Sequence, residues 1–436
     1  MGFLKIIGLA ILGMFLIWML FHKGNKNQAY LRFVLLAYPF LHILIFTNQG
    51  LFEVISILFF FLFYRQKSTH QPEVIGYGYL FIVFCLVLII GLILSPIEFD
   101  SDNIKDTRRL FPIFIYAKVL IEECLYDEAF TRKVMQGFSM ILAFGLAFLA
   151  IQMVVGLNFK LVNTLNPNVI IRNGTRYPGF FSDPQQFSQF LGALSFLCLI
   201  PWKNEKVPTW KYVASGLAVV GILAAGGRAG LMGWILGLLF YLMFSNPKRR
   251  MAILFMGLIL GSVAFYFQDN LSIFNRGTDL NETYDFRAQI WEDAFEIFTD
   301  HPFFGIGIGN YAPYVFLNFP DQLLLINNDI VSFDQPESGY LLFLTELGGI
   351  GFICILLFAF IPIIKSFFFF FKSQNLLYIL LISAICCWLV GFYSTYSLGD
   401  VRIMIMVGTI LSLMIIFRIH EKAEIERIEN DSTTEI

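Results

Sequence analysis

Three arginines carry the chemistry this chain could do. Arg176 lies in Arg176-Tyr177-Pro178-Gly179-Phe180-Phe181-Ser182-Asp183-Pro184-Gln185, Arg228 in Gly226-Gly227-Arg228-Ala229-Gly230, and Arg287 four residues before Trp291. A guanidinium stays charged at any relevant pH and grips phosphate through paired N–H forks. Three of them converging on one face would bind a polyanion, and at a membrane face the polyanion at hand is a lipid-linked diphosphate. Each also has a plainer reading: Arg176 as an exposed loop residue, Arg228 as an interfacial anchor, Arg287 as a side chain snorkelling to headgroups. Arg172 is a fourth, looser candidate.

The surroundings of two of them sharpen the reading. Glycines flank Arg228, and glycine permits close approach by a helix or a ligand. For Arg287, the stretch 286–300 read as a helix at about 100° per residue puts Phe286, Ile290, Trp291, Ala294, Phe295, Ile297 and Phe298 on one half. Gln289, Glu292, Asp293, Glu296 and Asp300 fall on the other half. Arg287 then sits amid the apolar half and in the first turn, where the helix dipole disfavours a cation. It calls for an anionic partner.

Acids and bases are sparse around these arginines. Glu337, before Ser338-Gly339-Tyr340, is placed to accept a proton from a sugar hydroxyl, or simply to complement a helix start; Asp334 lies three residues earlier. His301, in Asp300-His301-Pro302, reads as structural, and Glu346 as a hydrogen-bond partner between helices. The run Gly305-Ile306-Gly307-Ile308-Gly309 lacks the Lys-Ser/Thr of a P-loop and the strand–turn–helix setting of a dinucleotide fold. It reads as a flexible hinge beside the site. No metal cluster and no cofactor motif is evident.

The elements that must hold these residues are membrane helices. Only 14% of the 436 residues are charged, against about 25% in soluble domains, and the mean hydropathy is +0.71. Apolar runs long enough for a hydrocarbon core recur at about 3–21, 31–47, 50–64, 76–95, 109–124, 134–156, 185–201, 211–226, 229–245, 251–267, 339–362, 375–397 and 401–417. The fold class is all-α, a polytopic membrane protein with about 12–13 transmembrane helices; the run 109–124, with Lys118, Glu122 and Glu123, is the weakest. Residues 1–436 read as a single transmembrane domain, without the paired interrupted helices of many transporters. The first run has no small-residue cleavage pattern and reads as a retained helix. All six cysteines lie in or beside apolar runs and read as small buried hydrophobes. The net charge of −2 excludes a nucleic-acid-binding class.

Lys and Arg in short loops set orientation. Lys23, Lys26 and Arg32, then Arg65 and Lys67, Arg132 and Lys133, Lys203, Lys206 and Lys211, Lys248 to Arg250, Lys365 and Lys372 all fall on one side in a single threading. The charged tail 418–436 joins them in the cytoplasm. That threading sends 96–108, 157–184 and the long polar loop 268–338 outside, with Lys105, Arg108 and Arg109 opposing it. Long loops of this kind usually carry function.

Four pieces in order resemble the O-antigen ligase and O-antigen polymerase superfamily of bacterial inner-membrane proteins. They are Arg176-x-x-Gly179-Phe180 with Asp183-Pro184; Gly227-Arg228-Ala229-Gly230; Arg287-x-x-x-Trp291 leading to Pro302-x-x-Gly305-x-Gly307-x-Gly309; and Ser338-Gly339-Tyr340-Leu341 with Glu346-Leu347-Gly348 and Gly351. The resemblance covers about 170–352. It implies a metal-independent glycosyltransferase without a cofactor, multi-pass in the bacterial cytoplasmic (inner) membrane with its active site facing outward. Its substrate would be an undecaprenyl-diphosphate-linked oligosaccharide, bound through the diphosphate by Arg176, Arg228 and Arg287. Arg228, Arg287 and Glu337 would be the catalytic residues, and a chain-length regulator is a partner the resemblance admits. Ligases of the family place a His-Asn pair where this chain has Glu337-Ser338. The departure favours polymerisation of repeat units of O-antigen, capsule or exopolysaccharide over ligation to another acceptor. Two further readings stay open: a precursor transporter with an arginine-lined cavity, and a noncatalytic scaffold.

Overall fold

The computed structural model describes residues 2–46, 49–67, 71–97, 104–166, 169–171, 174–203, 205–266, 280–320, 324–326, 329–331 and 335–434. Arg172 and Asp334 lie outside them. Helices run α1 (Phe3–Phe21), α2 (Lys26–Ala37), α3 (Leu51–Leu62), α4 (Pro72–Ile93), α5 (Ile104–Tyr126), α6 (Glu128–Val155), α7 (Pro184–Cys198), α8 (Thr209–Ala225), α9 (Arg228–Phe244) and α10 (Pro247–Tyr266). There follow α11 (Leu280–Asp300), α12 (Tyr311–Asn318), α13 (Gly339–Ser373), α14 (Leu376–Ser394) and α15 (Val401–Thr434). Two antiparallel hairpins, β1 (Ile170–Ile171) with β2 (Gly174–Thr175) and β3 (Leu324–Ile326) with β4 (Asp329–Val331), decorate the connections.

The fold is that of an all-helical polytopic membrane protein. Among the described residues six helices are long and apolar enough to cross a bilayer, α1, α4, α6, α13, α14 and α15; α3, α8 and α9 are shorter and apolar. All but one of the runs read from sequence coincide with a helix. The exception is 31–47: α2 ends at Ala37, a 3-10 turn carries the chain through Tyr38–Phe40, and Leu44 bridges to Gly50. Pro39, inside that turn, has no N–H to continue the ladder.

Helix ends are set locally. Asn25, Asp127, Asp183 and Asn375 cap α2, α6, α7 and α14 with side-chain oxygens. Gly226, at φ +62°, closes α8 in the left-handed conformation. Packing then comes from small residues. A Cβ at Gly230, Gly233 or Gly237 would fall within 2.2–2.7 Å of Ser188 on α7, or of Cys387 or Ser383 on α14. The glycine face of α9 thus lets three backbones meet, which supplies the dispersion that holds helices together in lipid.

The bundle has two unlike ends. At one, Lys67 pairs with Glu123 (2.8 Å), Lys118 with Glu122 (2.6 Å), Arg132 with Glu205 (2.7 Å) and Lys203 with Glu128 (2.9 Å). Lys365 and Arg418 both reach Glu73 there. These are the loops that the positive-charge count put together, and the acids of α5 are held in this network. The other end gathers the start of α7, the end of α8, the start of α9, the start of α13, the end of α14 and the start of α15. The described parts of the polar connection between α10 and α13 belong to this end and form α11, α12 and the β3–β4 hairpin.

Two sequence expectations are corrected there. The helix carrying Arg287 begins at Leu280 rather than Phe286, so Arg287 lies in its interior and not in the first turn. The Gly305–Gly309 run is a joint rather than a flexible hinge. Helix α13 is interrupted at Gly348 (φ +63°, ψ −176°), a break the sequence reading did not anticipate. The glycine segment plugs it with backbone bonds: Ile306 N to Thr345 O (3.0 Å), Gly307 N to Glu346 O (2.9 Å), Gly349 N to Pro302 O (2.8 Å) and Ile350 N to Phe303 O (3.2 Å). A Cβ at Gly305 or Gly348 would lie 2.4 Å from opposing backbone. Non-helical backbone at this depth is tolerated because protein groups satisfy it.

Candidate functional site

The first part of the site is built on the 169–183 connection. Gln152 of α6 clamps the Gly179 peptide from both sides, accepting from its N–H (2.9 Å) and donating to its carbonyl (3.2 Å). Gly179 has φ +58°, and a Cβ there would collide with Phe187. Phe180 and Phe181 are buried and pack on Phe187 and Phe190 of α7. Asp183 caps α7 through Gln185 N (2.8 Å), with Pro184 at the first helical position. Gly179, Phe180, Phe181, Asp183 and Pro184 therefore fix the path of the loop.

That path lays the loop across the end of α8. Tyr177 N donates to Ala224 O (3.2 Å) and Arg176 Nε to Ala225 O (3.2 Å). Orphan carbonyls at a helix C-terminus favour a cation. Arg176 is 1% exposed, so it is not the ordinary loop residue of the plainer reading. Burial lowers its pKa, Asp183 opposes that, and the nearby Arg228 adds to it. Two glycines, Gly226 and Gly227, separate the α8 end from Arg228, which opens α9 and is half-buried. A Cβ at Gly227 would sit 2.0 Å from Ser188 Oγ, so the glycine draws the start of α9 against α7. Arg176 thus feels the charge of Arg228, which stands at the N-terminus of α9, a setting that suits an anion.

The second part is made by α11. Ile290, Ala294 and Ile297 are buried, as the helical wheel required, but Phe295, which the wheel put on the same half, is 54% exposed. Arg287 and Trp291, one turn apart, both reach the segment before α13. Arg287 Nη2 bonds Glu337 Oε2 at 3.2 Å, and Trp291 Nε1 donates to Pro336 O at 2.9 Å. Trp291 also meets Tyr393 of α14 edge to face, with ring centroids 5.4 Å apart. The anionic partner demanded for Arg287 is therefore supplied within the chain. Glu337 has φ +53°, a conformation costly for a side chain with a Cβ.

The expected residues enter as two pairs, Arg176 with Arg228 and Arg287 with Glu337, at the same end of the bundle. The end of α14 lies between the elements that carry them: Gly391 packs on Gln189 of α7, Thr395 bonds Gln185, and Tyr393 bears on Trp291. His301 faces Tyr314 (3.4 Å), and Glu346 accepts from Tyr311 N (3.1 Å) at the start of α12; both act as structural partners. Among the described residues there is no group of three or more His, Cys, Asp or Glu that could hold a metal ion.

Sequence reasoning missed a third charged pair at this end. Arg402 binds Asp400 through Nη2 (2.5 Å) and Nε (2.9 Å), and its Nη1 donates to Phe180 O (2.6 Å). The guanidinium lies 4.1 Å from the Phe181 ring centroid. Arg402 is fully buried and Asp400 nearly so. The signal was available: a charge inside an apolar span, which usually marks a partner or a cavity. Arg402 ties α15 to the very loop that carries Arg176.

A family model described as O-antigen ligase matches residues 213–356. The match begins within α8, runs through the connection holding α11 and ends past the break in α13. Arg228, Arg287 and Glu337 fall inside it, and Arg176 precedes it. No curated protein matches the chain.

Proposed function

We propose, from the match of residues 213–356 to the O-antigen ligase family model, that this chain belongs to the O-antigen ligase and polymerase superfamily and polymerises undecaprenyl-diphosphate-linked oligosaccharide repeat units at the outer face of a bacterial cytoplasmic membrane. It handles lipid-linked glycan as a glycosyltransferase-like enzyme. The observation that supports the reading is that Arg176 and Arg228, which interact through their charges, lie at the same end of the bundle as the Arg287–Glu337 pair.

In this mechanism the donor diphosphate sits against Arg176 and Arg228 and draws Arg287 away from Glu337. An acceptor hydroxyl on a second lipid-linked unit attacks the anomeric carbon. The bond from that carbon to the diphosphate oxygen breaks as the new glycosidic bond forms, and the hydroxyl proton passes to Glu337, freed by the departure of Arg287. The lipid diphosphate leaves with its charge held by guanidinium groups already in place, which stabilises the transition state most where charge develops. No residue in this scheme calls for a metal.

The description of the matching family as ligase supports a second reading, transfer to a different acceptor. Purified protein given labelled lipid-linked repeat unit and no other acceptor separates the two. A ladder of products is expected; a single unextended species, turned over only when another acceptor is added, overturns polymerisation.

A further inference from the structure

The polar connection that carries Arg287 is pinned to spanning helices on both sides of α11. Near its start, Trp291 meets Tyr393 in the last turn of α14. Past its end, the glycine joint docks on the end of α4. Ser95 Oγ donates to Ile306 O (2.6 Å), Asn310 Nδ2 donates to Ser95 Oγ (2.8 Å), and a Cβ at Gly91 would lie 3.1 Å from Phe304 O. Both spanning helices start in the basic network. Glu73, in the first turn of α4, pairs with Lys365 and Arg418. Tyr378, in the first turn of α14, bonds Glu421 (2.6 Å), three residues past Arg418. At a rise of about 1.5 Å per residue, the 22 residues of α4 and the 19 of α14 climb about 33 and 28 Å, each about one hydrocarbon thickness. Their far ends stand near one level. A helix strung between them lies along the membrane face and does not project from it.

Helix α11 has three faces. Ile290, Ala294 and Ile297 enter the protein. Glu292, Glu296 and Asp300 are exposed and charged. Between these, at about 100° per residue, runs a flank of Arg287, Trp291, Phe295 and Phe298. Phe295 and Phe298 touch, with ring centroids 5.9 Å apart. What covers this flank follows from its continuity. Beyond its break, α13 exposes Ile350, Ile353, Leu357, Phe360 and Ile364, three or four residues apart. Such an apolar stripe down a helix long enough to cross a bilayer faces lipid chains. The stripe runs on into the connection. Ile350 N donates to Phe303 O (3.2 Å), and Phe303 is 67% exposed. Phe298 lies against Gly349, where a Cβ would come 3.9 Å from the ring, and passes the stripe to Phe295.

We propose that α11 is an interfacial helix whose Phe295–Phe298 flank, with Phe303, is immersed in the lipid chains of the leaflet at this end, while Glu292, Glu296 and Asp300 face water. Such a helix settles about 5–10 Å into the boundary between headgroups and chains. Arg287 and Trp291 share the immersed flank, so the guanidinium lies at headgroup depth. The diphosphate of a lipid-linked glycan arrives there with its polyprenyl chain already in the leaflet. That last step rests on the glycosyl-transfer reading above; the immersion does not.

The test uses the full chain in nanodiscs of dioleoylphosphatidylcholine. The photoreactive amino acid p-benzoylphenylalanine replaces Phe295, Phe303, Glu296 or Thr299, one at a time, and Ile353 as the lipid-facing standard. All five side chains are exposed, so the buried face of α11 is left intact. Ultraviolet light couples the benzophenone to a neighbouring C–H bond, and mass spectrometry counts lipid adducts. The Phe295 and Phe303 sites should form adducts near the Ile353 level and at least about fivefold above the Glu296 and Thr299 sites, because a flank at that depth has acyl chains in reach. Adducts no more frequent than at Glu296 and Thr299, or crosslinks to a second copy of the chain in their place, would overturn the immersion. Undecaprenyl diphosphate binding to the wild-type chain is measured separately. No binding, with lipid adducts at Phe295 and Phe303, would sink the diphosphate step and leave the immersion standing. Binding without those adducts would do the reverse.

Discussion

Two arginine–carboxylate pairs lie at the same end of this bundle and are built in opposite ways. Arg402 is fully buried, is bound to Asp400 through two nitrogens, and donates to Phe180 O as well. Arg287 is about a third exposed and holds Glu337, equally exposed, by a single 3.2 Å contact. Taking a charge out of water is expensive and is offset only by good geometry and further hydrogen bonds. Arg402 meets that condition and is part of the fold, joining α15 to the Arg176 loop. Arg287 does not; its contact is of the kind worth about 0.2–1 kcal/mol, weak enough for a diphosphate to replace. The comparison separates a cation that positions from a cation that is available.

The sharpest way to break that contrast is Arg402→Leu. It leaves Asp400 buried without its counter-charge and should cost about 3–5 kcal/mol, read as a large drop in melting temperature in detergent and in membrane protein level. Wild-type melting would show that the buried pair holds nothing together. Arg287→Lys should do the reverse. Melting should stay near wild type, while polymer yield falls by about 10²–10³-fold, as expected when one preorganised donor to a developing anion is lost. An unchanged glycan ladder at normal protein level would reduce Arg287 to an anchor for α11. The smallest effect belongs to Glu337→Gln. Removing the competing carboxylate should tighten undecaprenyl diphosphate binding by up to about fivefold and still slow transfer, because the proton acceptor is gone. Binding and transfer both unchanged would remove Glu337 from the site.

How far the site was legible follows from the range of the forces involved. The wheel that put Ile290, Trp291, Ala294 and Ile297 on one face needed only helical periodicity, and its demand for an anion near Arg287 was met by Glu337. The glycines around Arg228 announced close packing before its partner, Ser188, was known. By contrast, the Gly305–Gly309 run looked mobile because glycine permits many conformations. Nothing local reveals that Thr345, Glu346 and residues 349–350 offer a broken helix whose backbone groups this run satisfies. Arg402 showed as a charge in an apolar span beside Asp400, but its tie to the Arg176 loop did not, because Phe180 and Pro39 come from loops far away in the chain.

The sequence by itself determined the membrane class, the helical segments and the sorting of basic loops to one end, since burial of apolar side chains and caps such as Asp183 and Gly226 act over a few residues. Tertiary structure alone decided which arginine is buried and which stays about a third exposed. It also decided that Arg176 turns onto the end of α8, and that α11 is strung between the ends of α4 and α14. Those outcomes depend on desolvation and on contacts between segments 50 to 360 residues apart, and no local pattern encodes the free energy of bringing such segments together.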